Sequence, residues 1–211
     1  MEVALPLSRR LILAGFVSFA LATPAAAQGL NLAELSTPGP LGDRMLGSDK
    51  APVTIIEYAS VTCPHCATFH AEVYPKLKEK FIDTGKVRFI FREFPTAPAN
   101  ASIAGFMLAR CSGDKYFPLI DAMMEQQRSW IEKPYDGLLR IARQAGMSQE
   151  AFETCLKDRK LAEEIGNSAS RAVQKFGVES TPTFFVNGTK IVGTQSLAAF
   201  EKAIEALLKT N

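Results

Sequence analysis

The chain has 211 residues, 24 of them Lys or Arg and 22 Asp or Glu, so its formal net charge is +2. A chain of this length can bury a full hydrophobic core without disulfides to hold it together. The nearly balanced and interspersed charge argues against a nucleic-acid-binding or membrane-surface protein. The four cysteines are compatible with metal ligation, structural disulfides or a reactive dithiol, and the cellular compartment decides among these roles.

Residues 1–27 have the pattern of a cleaved secretory signal peptide. Arg9 and Arg10 precede an apolar run over residues 11–22, and three alanines before Gln28 offer a cleavage site. This run is too short for a membrane anchor, because a spanning helix needs roughly 20 apolar residues. We therefore expect an exported mature chain, residues 28–211, in an oxidising compartment. The paired arginines leave both the general secretory route and the twin-arginine route open.

Two strands joined by a helix follow a Gly- and Pro-rich arm. The arm spans residues 28–51 and contains a short edge strand near Met45 and Leu46. Residues 53–58 and 86–92 have the composition and patterning of strands. The apolar residues between them recur every four positions, which predicts one helix from the cysteines to about Gly85: Phe69, Val73, Leu77 and Phe81. Strand, helix and strand in this order predict a parallel pair with a right-handed crossover.

The rest of the chain divides into a helical segment and a hairpin. Residues 97–176 have a helical pattern throughout, with breaks near residues 112–114, 133–134, 146–148 and 157–158. Asn187 and Gly188 separate two apolar runs, which predicts a β-hairpin, and residues 196–208 form a last helix. We therefore predict an α/β fold of the thioredoxin-like type. Residues 52–96 and 177–211 form the two parts of that domain, and residues 97–176 form an inserted helical domain.

Cys63, Pro64, His65 and Cys66 lie at the predicted start of the first helix. Cys63 takes the N-cap position, and Pro64 takes the first helical position, where its missing N–H costs nothing. The unpaired N–H groups and the positive helix dipole should lower the pKa of Cys63, and a protonated His65 would add to this effect. A stabilised thiolate makes the disulfide easy to reduce, so the pair should act as an oxidant.

The segments "EYASVT", "CPHC" and "STPTFFVNG", together with the helical insert, resemble the DsbA family of periplasmic thiol:disulfide oxidoreductases. The resemblance covers nearly the whole mature chain. It implies that Cys63 is the exposed nucleophile, with Cys66 as its buried partner, and that Glu57 aids proton transfer. It also implies that Pro182 is a cis-proline facing the dithiol. The Thr181 backbone would pair with substrate as a short added strand.

Several residues keep alternative interpretations. Glu57 has an equally good interpretation as a strand-edge carboxylate in a salt bridge with Arg92 or Lys86. Cys111 and Cys155 in the insert are expected to form a structural disulfide, with buried free thiols as the alternative. His70 shares a helix face with both active-site cysteines, but a zinc site would need a fourth ligand, so no metal is expected.

The expected activity is donation of the Cys63–Cys66 disulfide to unfolded or reduced exported proteins in the periplasm, without a cofactor. The resemblance implies reoxidation by a quinone-linked membrane thiol oxidase of the DsbB kind, and we expect a monomer. Thr precedes Pro182 here, whereas Val is common at this position in the best-known oxidases and Thr in isomerase-type relatives. A disulfide isomerase or reductase therefore stays an alternative. A non-catalytic chaperone or metal-binding module with the same fold is a further alternative.

Overall fold

The computed structural model of the chain describes Glu2 and residues 30–210. Apart from Glu2, the signal peptide predicted for residues 1–27 lies outside the described residues. Among the helices that are described, none has the length and apolar character needed to cross a bilayer.

A mixed five-stranded sheet forms the centre of the fold, in the order β1-β3-β2-β4-β5. Its strands are β1 (Arg44–Leu46), β2 (Val53–Ala59), β3 (Val87–Glu93), β4 (Thr183–Val186) and β5 (Thr189–Val192). Strands β2 and β3 are parallel, as the crossover pattern predicts, and the other neighbours are antiparallel. Asn187 and Gly188 both have positive φ, which matches the right-handed twist of the β4–β5 hairpin.

Ten α-helices surround this sheet within the described residues: α1 (Leu32–Ser36), α2 (Pro64–Glu72), α3 (Tyr74–Leu77), α4 (Ala99–Cys111), α5 (Tyr116–Glu125), α6 (Gln127–Glu132), α7 (Pro134–Gln144), α8 (Gln149–Leu156), α9 (Arg159–Phe176) and α10 (Leu197–Leu208). Helices α4 to α9 follow one another between β3 and β4, so the α/β fold with a helical insertion is confirmed. Side chains of Ser148, Asp158 and Ser196 accept hydrogen bonds from N–H groups in the first turns of α8, α9 and α10.

The prediction of one continuous helix from the cysteines to Gly85 is wrong. Helix α2 ends at Glu72, α3 starts at Tyr74, and a π-helical turn covers Lys78–Ile82. Pro75 causes the break, because it has no N–H to donate and its ring collides with the preceding turn of an unbroken helix. The apolar periodicity continues across the break, so Leu77 and Phe81 are still buried.

The two faces of the sheet carry two separate apolar clusters. Along β2, Ile55 and Ala59 belong to the larger cluster, which also contains both active-site cysteines and the apolar residues of the insert. The intervening residues Ile56 and Tyr58 belong to a smaller cluster on the opposite face. Because side chains alternate along a strand, Glu57 faces the larger cluster, on the same side as the cysteines.

A disulfide joins Cys111 at the end of α4 to Cys155 in α8 across 44 positions of sequence. Replacing both residues with alanine is expected to destabilise the protein by about 3 to 4 kcal/mol, because the unfolded chain regains the entropy of an open loop. The melting temperature should fall by about 10 °C, while oxidation of a model peptide persists. Calorimetry and a peptide-oxidation assay test this. Loss of activity in a double variant that is still folded would show that the pair relays electrons instead.

Candidate active site

The two active-site cysteines lie at the junction between β2 and α2. Cys63 is the N-cap residue of α2, with φ −86° and ψ 119°, and Pro64 is the first helical residue. Both cysteines are free thiols. Cys66 is fully buried, and Cys63 retains 8% of its surface. The nucleophile is therefore more enclosed than expected, because the surrounding loops cover most of its side chain, and a substrate must reach one exposed edge of the sulfur.

The structure favours the thiolate form of Cys63. Its pKa is lowered to about 5, chiefly by a hydrogen bond from the Cys66 thiol. Burial acts in the opposite direction, but the Thr181 side chain and the backbone N–H groups of Cys66 and His65 also hydrogen-bond the sulfur. These N–H groups belong to the first turn of α2, where a helix has no internal acceptor for them. Cys63 is thus largely ionised at neutral pH.

Cys66 has the opposite character. Burial raises its pKa well above the usual value, and the hydrogen bond to Cys63 and the charge of Glu57 raise it further. A hydrogen bond from the Ser60 backbone opposes these effects. Cys66 therefore stays protonated when Cys63 is a thiolate. This asymmetry favours Cys63 over Cys66 as the sulfur that reacts as a thiolate, and Cys66 would take up a proton on release from a disulfide.

Thr181 and Pro182 lie against the dithiol, on the loop that enters β4. The peptide bond between them is cis, and the Cys63 sulfur lies 3.3 Å from the Thr181 carbonyl oxygen, to which it donates when it is protonated. Pro182 is buried and Thr181 is partly exposed. The helix start and this loop therefore form opposite walls around the sulfur of Cys63.

Replacing Thr181 with valine should raise the pKa of Cys63 above its value of about 5, because the thiolate loses a hydrogen bond from the hydroxyl. Hydrogen bonds to charged groups contribute about 1.5 kcal/mol, which corresponds to about a tenfold change in the ionisation constant. The pKa of Cys63 is measured from the thiolate absorbance at 240 nm as a function of pH. Thr84→Val is the matched control, since the Thr84 hydroxyl donates to the carbonyl oxygens of Lys80 and Phe81 and not to a residue of the dithiol loop. Equal titration curves for Thr181→Val and the unaltered protein would contradict this account.

His65 has an exposed side chain between the two cysteines. Its contribution to the lowered pKa of Cys63 comes from its backbone N–H. The Thr194 hydroxyl, on the segment before α10, donates to the His65 carbonyl oxygen at 3.1 Å. The position of His65 is thereby tied to the C-terminal part of the fold.

Glu57 does not form the salt bridge with Arg92 or Lys86 that one interpretation of the sequence proposed. It lies in the central strand β2, is fully buried, and its Oε2 atom lies 3.1 Å from Nε2 of His70. Arg92 instead pairs with Asp43 at 2.9 Å. The side of the sheet decides these partners, because Glu57 faces α2 and His70, whereas Tyr58, whose hydroxyl accepts a hydrogen bond from Arg92, faces the opposite cluster.

His70 is buried and paired with carboxylates rather than with the cysteines. Its Nε2 atom faces Glu57, and its Nδ1 atom lies 3.6 Å from an Asp121 oxygen. Across residues 30–210, no three His, Cys, Asp or Glu side chains converge in a way that could hold a metal ion. The zinc interpretation therefore has no structural support among the described residues.

One contact from the helical insert was missed by the sequence analysis. Gln127, the buried first residue of α6, donates from Nε2 to the carbonyl oxygens of Val61 and Cys63 at 2.9 and 3.0 Å. Both acceptors belong to the loop that presents the nucleophile, so this amide anchors that loop to the insert. A separation of 64 positions from Cys63 leaves no local signal from which the contact could be found.

Comparisons with known proteins agree with this arrangement. The family model described as Thioredoxin matches residues 41–206. A putative protein-disulfide oxidoreductase of Rickettsia bellii (strain RML369-C) is 36% identical over 173 residues, which are 77% of this chain and 65% of the relative. The chain thus spans slightly less than two thirds of that relative. A probable disulfide bond formation protein D of Bacillus cereus (strain ATCC 14579) is 28% identical over 208 residues, 94% of this chain and 92% of the relative.

The fold is also that of a solved structure. The crystal structure of alpha-DsbA1 from Wolbachia pipientis superimposes with a TM-score of 0.77 at 37% identity, covering 85% of this chain and 97% of that one. The similarity therefore extends over most of both chains. From the family match and this agreement, the chain belongs to the thioredoxin family, among its DsbA-like members.

Proposed function

We propose that this protein is a thiol:disulfide oxidoreductase that donates its Cys63–Cys66 disulfide to reduced proteins. The observation that carries the proposal is the contrast between the two thiols: the pKa of Cys63 is lowered to about 5 and that of Cys66 is raised. Such a pair has one sulfur suited to attack and departure as a thiolate and one suited to remain protonated. The relatives named as disulfide oxidoreductases support this activity.

In the reaction, a substrate thiolate attacks the sulfur of Cys63. A substrate–Cys63 disulfide forms, the Cys63–Cys66 bond breaks, and its electron pair stays on Cys66, which takes up a proton. A second substrate thiolate then attacks the substrate sulfur of this mixed disulfide and releases Cys63 as a thiolate. Two electrons pass from the substrate to the enzyme, which ends as a dithiol. Thr181 and Pro182 would hold the extended substrate beside Cys63.

The low pKa of Cys63 makes the disulfide an oxidant. At pH 7 a thiol with a pKa of about 5 is almost fully ionised, whereas an ordinary cysteine is protonated. Ionisation two pH units above the pKa stabilises the dithiol form by about 2.7 kcal/mol. For a two-electron couple this makes the reduction potential about 60 mV more oxidising. The oxidised enzyme therefore tends to transfer its disulfide to the thiols of other proteins.

We place this reaction in the periplasm, with exported proteins as substrates. The signal-peptide pattern of residues 1–27 supports export. The Cys111–Cys155 disulfide supports it as well, since structural disulfides form and persist in oxidising compartments. The enzyme would act as a monomer without a cofactor. A quinone-linked membrane thiol oxidase of the DsbB kind would return the dithiol to the disulfide.

The test is the redox state of Cys63 and Cys66 in growing cells, read by alkylation with a mass-tagged reagent after acid quenching. An oxidase is expected to be mostly oxidised and to become reduced when the membrane oxidase is removed. A protein that is mostly reduced in unperturbed cells would overturn the proposal in favour of an isomerase or reductase. Purified protein should also oxidise a two-cysteine peptide, and failure to do so would overturn the activity itself.

A further inference from the structure

A buried carboxylate and imidazole lie behind the active site, away from the substrate side. Glu57 on β2 and His70 on α2 are 0% and 8% exposed, and their Oε2 and Nε2 atoms are 3.1 Å apart. Buried ionisable groups are costly unless each charge is compensated. Here the two groups compensate each other in the layer between the sheet and α2, the same layer that contains Cys66.

The second oxygen of Glu57 is free. Its Oε1 atom is buried and makes no hydrogen bond with any described residue. The charge of Glu57 is among the causes that raise the pKa of Cys66, so the carboxylate and the buried thiol interact electrostatically. Glu57 therefore has one oxygen bonded to His70 and one available to exchange a proton with the Cys66 sulfur.

The opposite side of His70 faces an open groove. Asp121 on α5 places a carboxylate oxygen 3.6 Å from Nδ1 of His70, and its side chain is 52% exposed. Both residues line a groove of about 890 Å³ between α2 and the insert. Tyr74 on α3 also packs beside the ring, at 4.8 Å between centroids, and Lys78, Glu125 and Arg128 lie farther along the groove.

The imidazole of His70 is protonated at neutral pH. Burial alone would lower the pKa of His70, but the charge of Glu57, the nearby Asp121 carboxylate and the hydrogen bond with Glu57 raise it to about 9. His70 is therefore an imidazolium at neutral pH and loses its proton as the pH rises through about 9.

We propose that His70, held by Asp121, is a positioning residue that stores the proton exchanged between Glu57 and Cys66 in each half of the catalytic cycle. When substrate attack releases the Cys66 thiolate, the Glu57 carboxylate takes the Nε2 proton of His70 at Oε2. Rotation of the carboxyl group then turns this proton toward Cys66, and Glu57 gives it to the sulfur and is a carboxylate again. When the enzyme is reoxidised, Cys66 attacks a mixed disulfide at Cys63, and its proton returns through Glu57 to His70. The electron pairs move only between sulfur atoms, and one proton moves each way.

This inference rests on the proposed function, but its test needs no protein substrate. The rate at which dithiothreitol reduces the Cys63–Cys66 disulfide of the purified protein is measured from pH 6 to pH 10 by quenching and alkylation. His70→Gln keeps an amide that can bond Glu57 but cannot carry the proton. We expect it to react about tenfold more slowly at pH 7, which is less than the usual acid–base contribution of about a hundredfold or more, because Glu57 remains. The difference should disappear above about pH 9, where His70 of the unaltered protein is also neutral.

Asp121→Asn is the second variant. The Asp121 side chain is 52% exposed, so we expect this variant to fold. It should slow the reaction about threefold at pH 7 and should lower the pKa of His70, because a carboxylate beside the ring is lost. Glu125→Gln, one helical turn further along α5 in the same groove, is the matched control and should change neither quantity. Since the chain has two histidines, NMR shows two imidazole titrations, and the one absent from His70→Gln belongs to His70.

Two results would overturn the proposal. One is a rate for His70→Gln equal to that of the unaltered protein at pH 7. The other is a slowdown that stays constant from pH 6 to pH 10, which would mean that His70 only packs against the helix. If His70→Gln does not fold, an Asp121→Asn profile identical to the Glu125→Gln profile overturns it as well. A protein that oxidises no peptide would refute the proposed function but would leave this measurement interpretable.

Discussion

Replacing Cys63 with serine is expected to reduce oxidation of a two-cysteine peptide to the rate observed without enzyme. Serine occupies nearly the same space but cannot form the disulfide from which the substrate takes its oxidising equivalents. Because the pKa of Cys63 is about 5, iodoacetamide at pH 6 should label this residue in the reduced protein and leave the buried Cys66 unlabelled. Mass spectrometry of the labelled protein and a peptide-oxidation assay measure the two effects.

The chain offers a matched control for this loss. The Cys111→Ala, Cys155→Ala double variant also removes cysteines, but they join α4 to α8 and lie outside the dithiol, so its activity should persist. Cys66→Ala should give a third behaviour: a mixed disulfide between Cys63 and an oxidised peptide that persists on a non-reducing gel. A Cys63→Ser enzyme that still oxidised the peptide above background would mean that the Cys63–Cys66 disulfide is not the source of the oxidising equivalents.

Much of this site is readable from sequence because its main determinants are local. Cys63, Pro64 and Cys66 lie within one helical turn, and a strand ending just before them fixes their position at a helix start. The turn at Asn187 is equally local, since an Asn-Gly pair satisfies the positive φ that a tight hairpin requires. In both cases the physical constraint acts on adjacent residues, and adjacency is what a sequence displays directly.

The contacts that set the charge and position of the site residues are not local, and the sequence left them open or gave no sign of them. One of the two interpretations of Glu57 paired it with Arg92 or Lys86, but only the direction of the side chain decides the partner, and that direction selects His70. Gln127 reaches the Cys63 loop from the insert. Such contacts depend on how the insert packs on the sheet, which hydrophobic periodicity predicts only coarsely.

The same packing creates a second buried ionic cluster that ties together three parts of the chain. Glu93, the last residue of β3, has a side chain that is 1% exposed, and Arg110 near the end of α4 donates to its Oε2 atom at 2.8 Å. Arg110 also donates to the carbonyl oxygens of Leu41 and Gly42 at 2.7 and 3.1 Å. One guanidinium thus joins the sheet, the insert and the N-terminal arm, while the Tyr116 hydroxyl donates to Glu93 from α5.

Replacing Arg110 with methionine is therefore expected to lower the free energy of unfolding by about 3 to 5 kcal/mol, because a buried carboxylate is left with one hydroxyl donor. The melting temperature should fall by about 10 °C or more. Lys78→Met is the control, since its ion pair with Asp83 is exposed and should contribute less than about 1 kcal/mol. Denaturant titrations of both variants provide the comparison.

Adding Glu93→Gln to Arg110→Met distinguishes a buried charge from simple loss of packing. The neutral amide removes the uncompensated carboxylate, so the double variant should be more stable than Arg110→Met alone, although Glu93 and Arg110 are both lost. Recovery should exceed about 1 kcal/mol, the size at which coupling between contacting residues is measurable in a mutant cycle. Two results would contradict this account: a loss of stability in Arg110→Met no larger than that in Lys78→Met, or a further loss of stability when Glu93→Gln is added to Arg110→Met. Either result would mean that the apolar contacts of α4, and not the Glu93–Arg110 pair, hold the insert against the sheet.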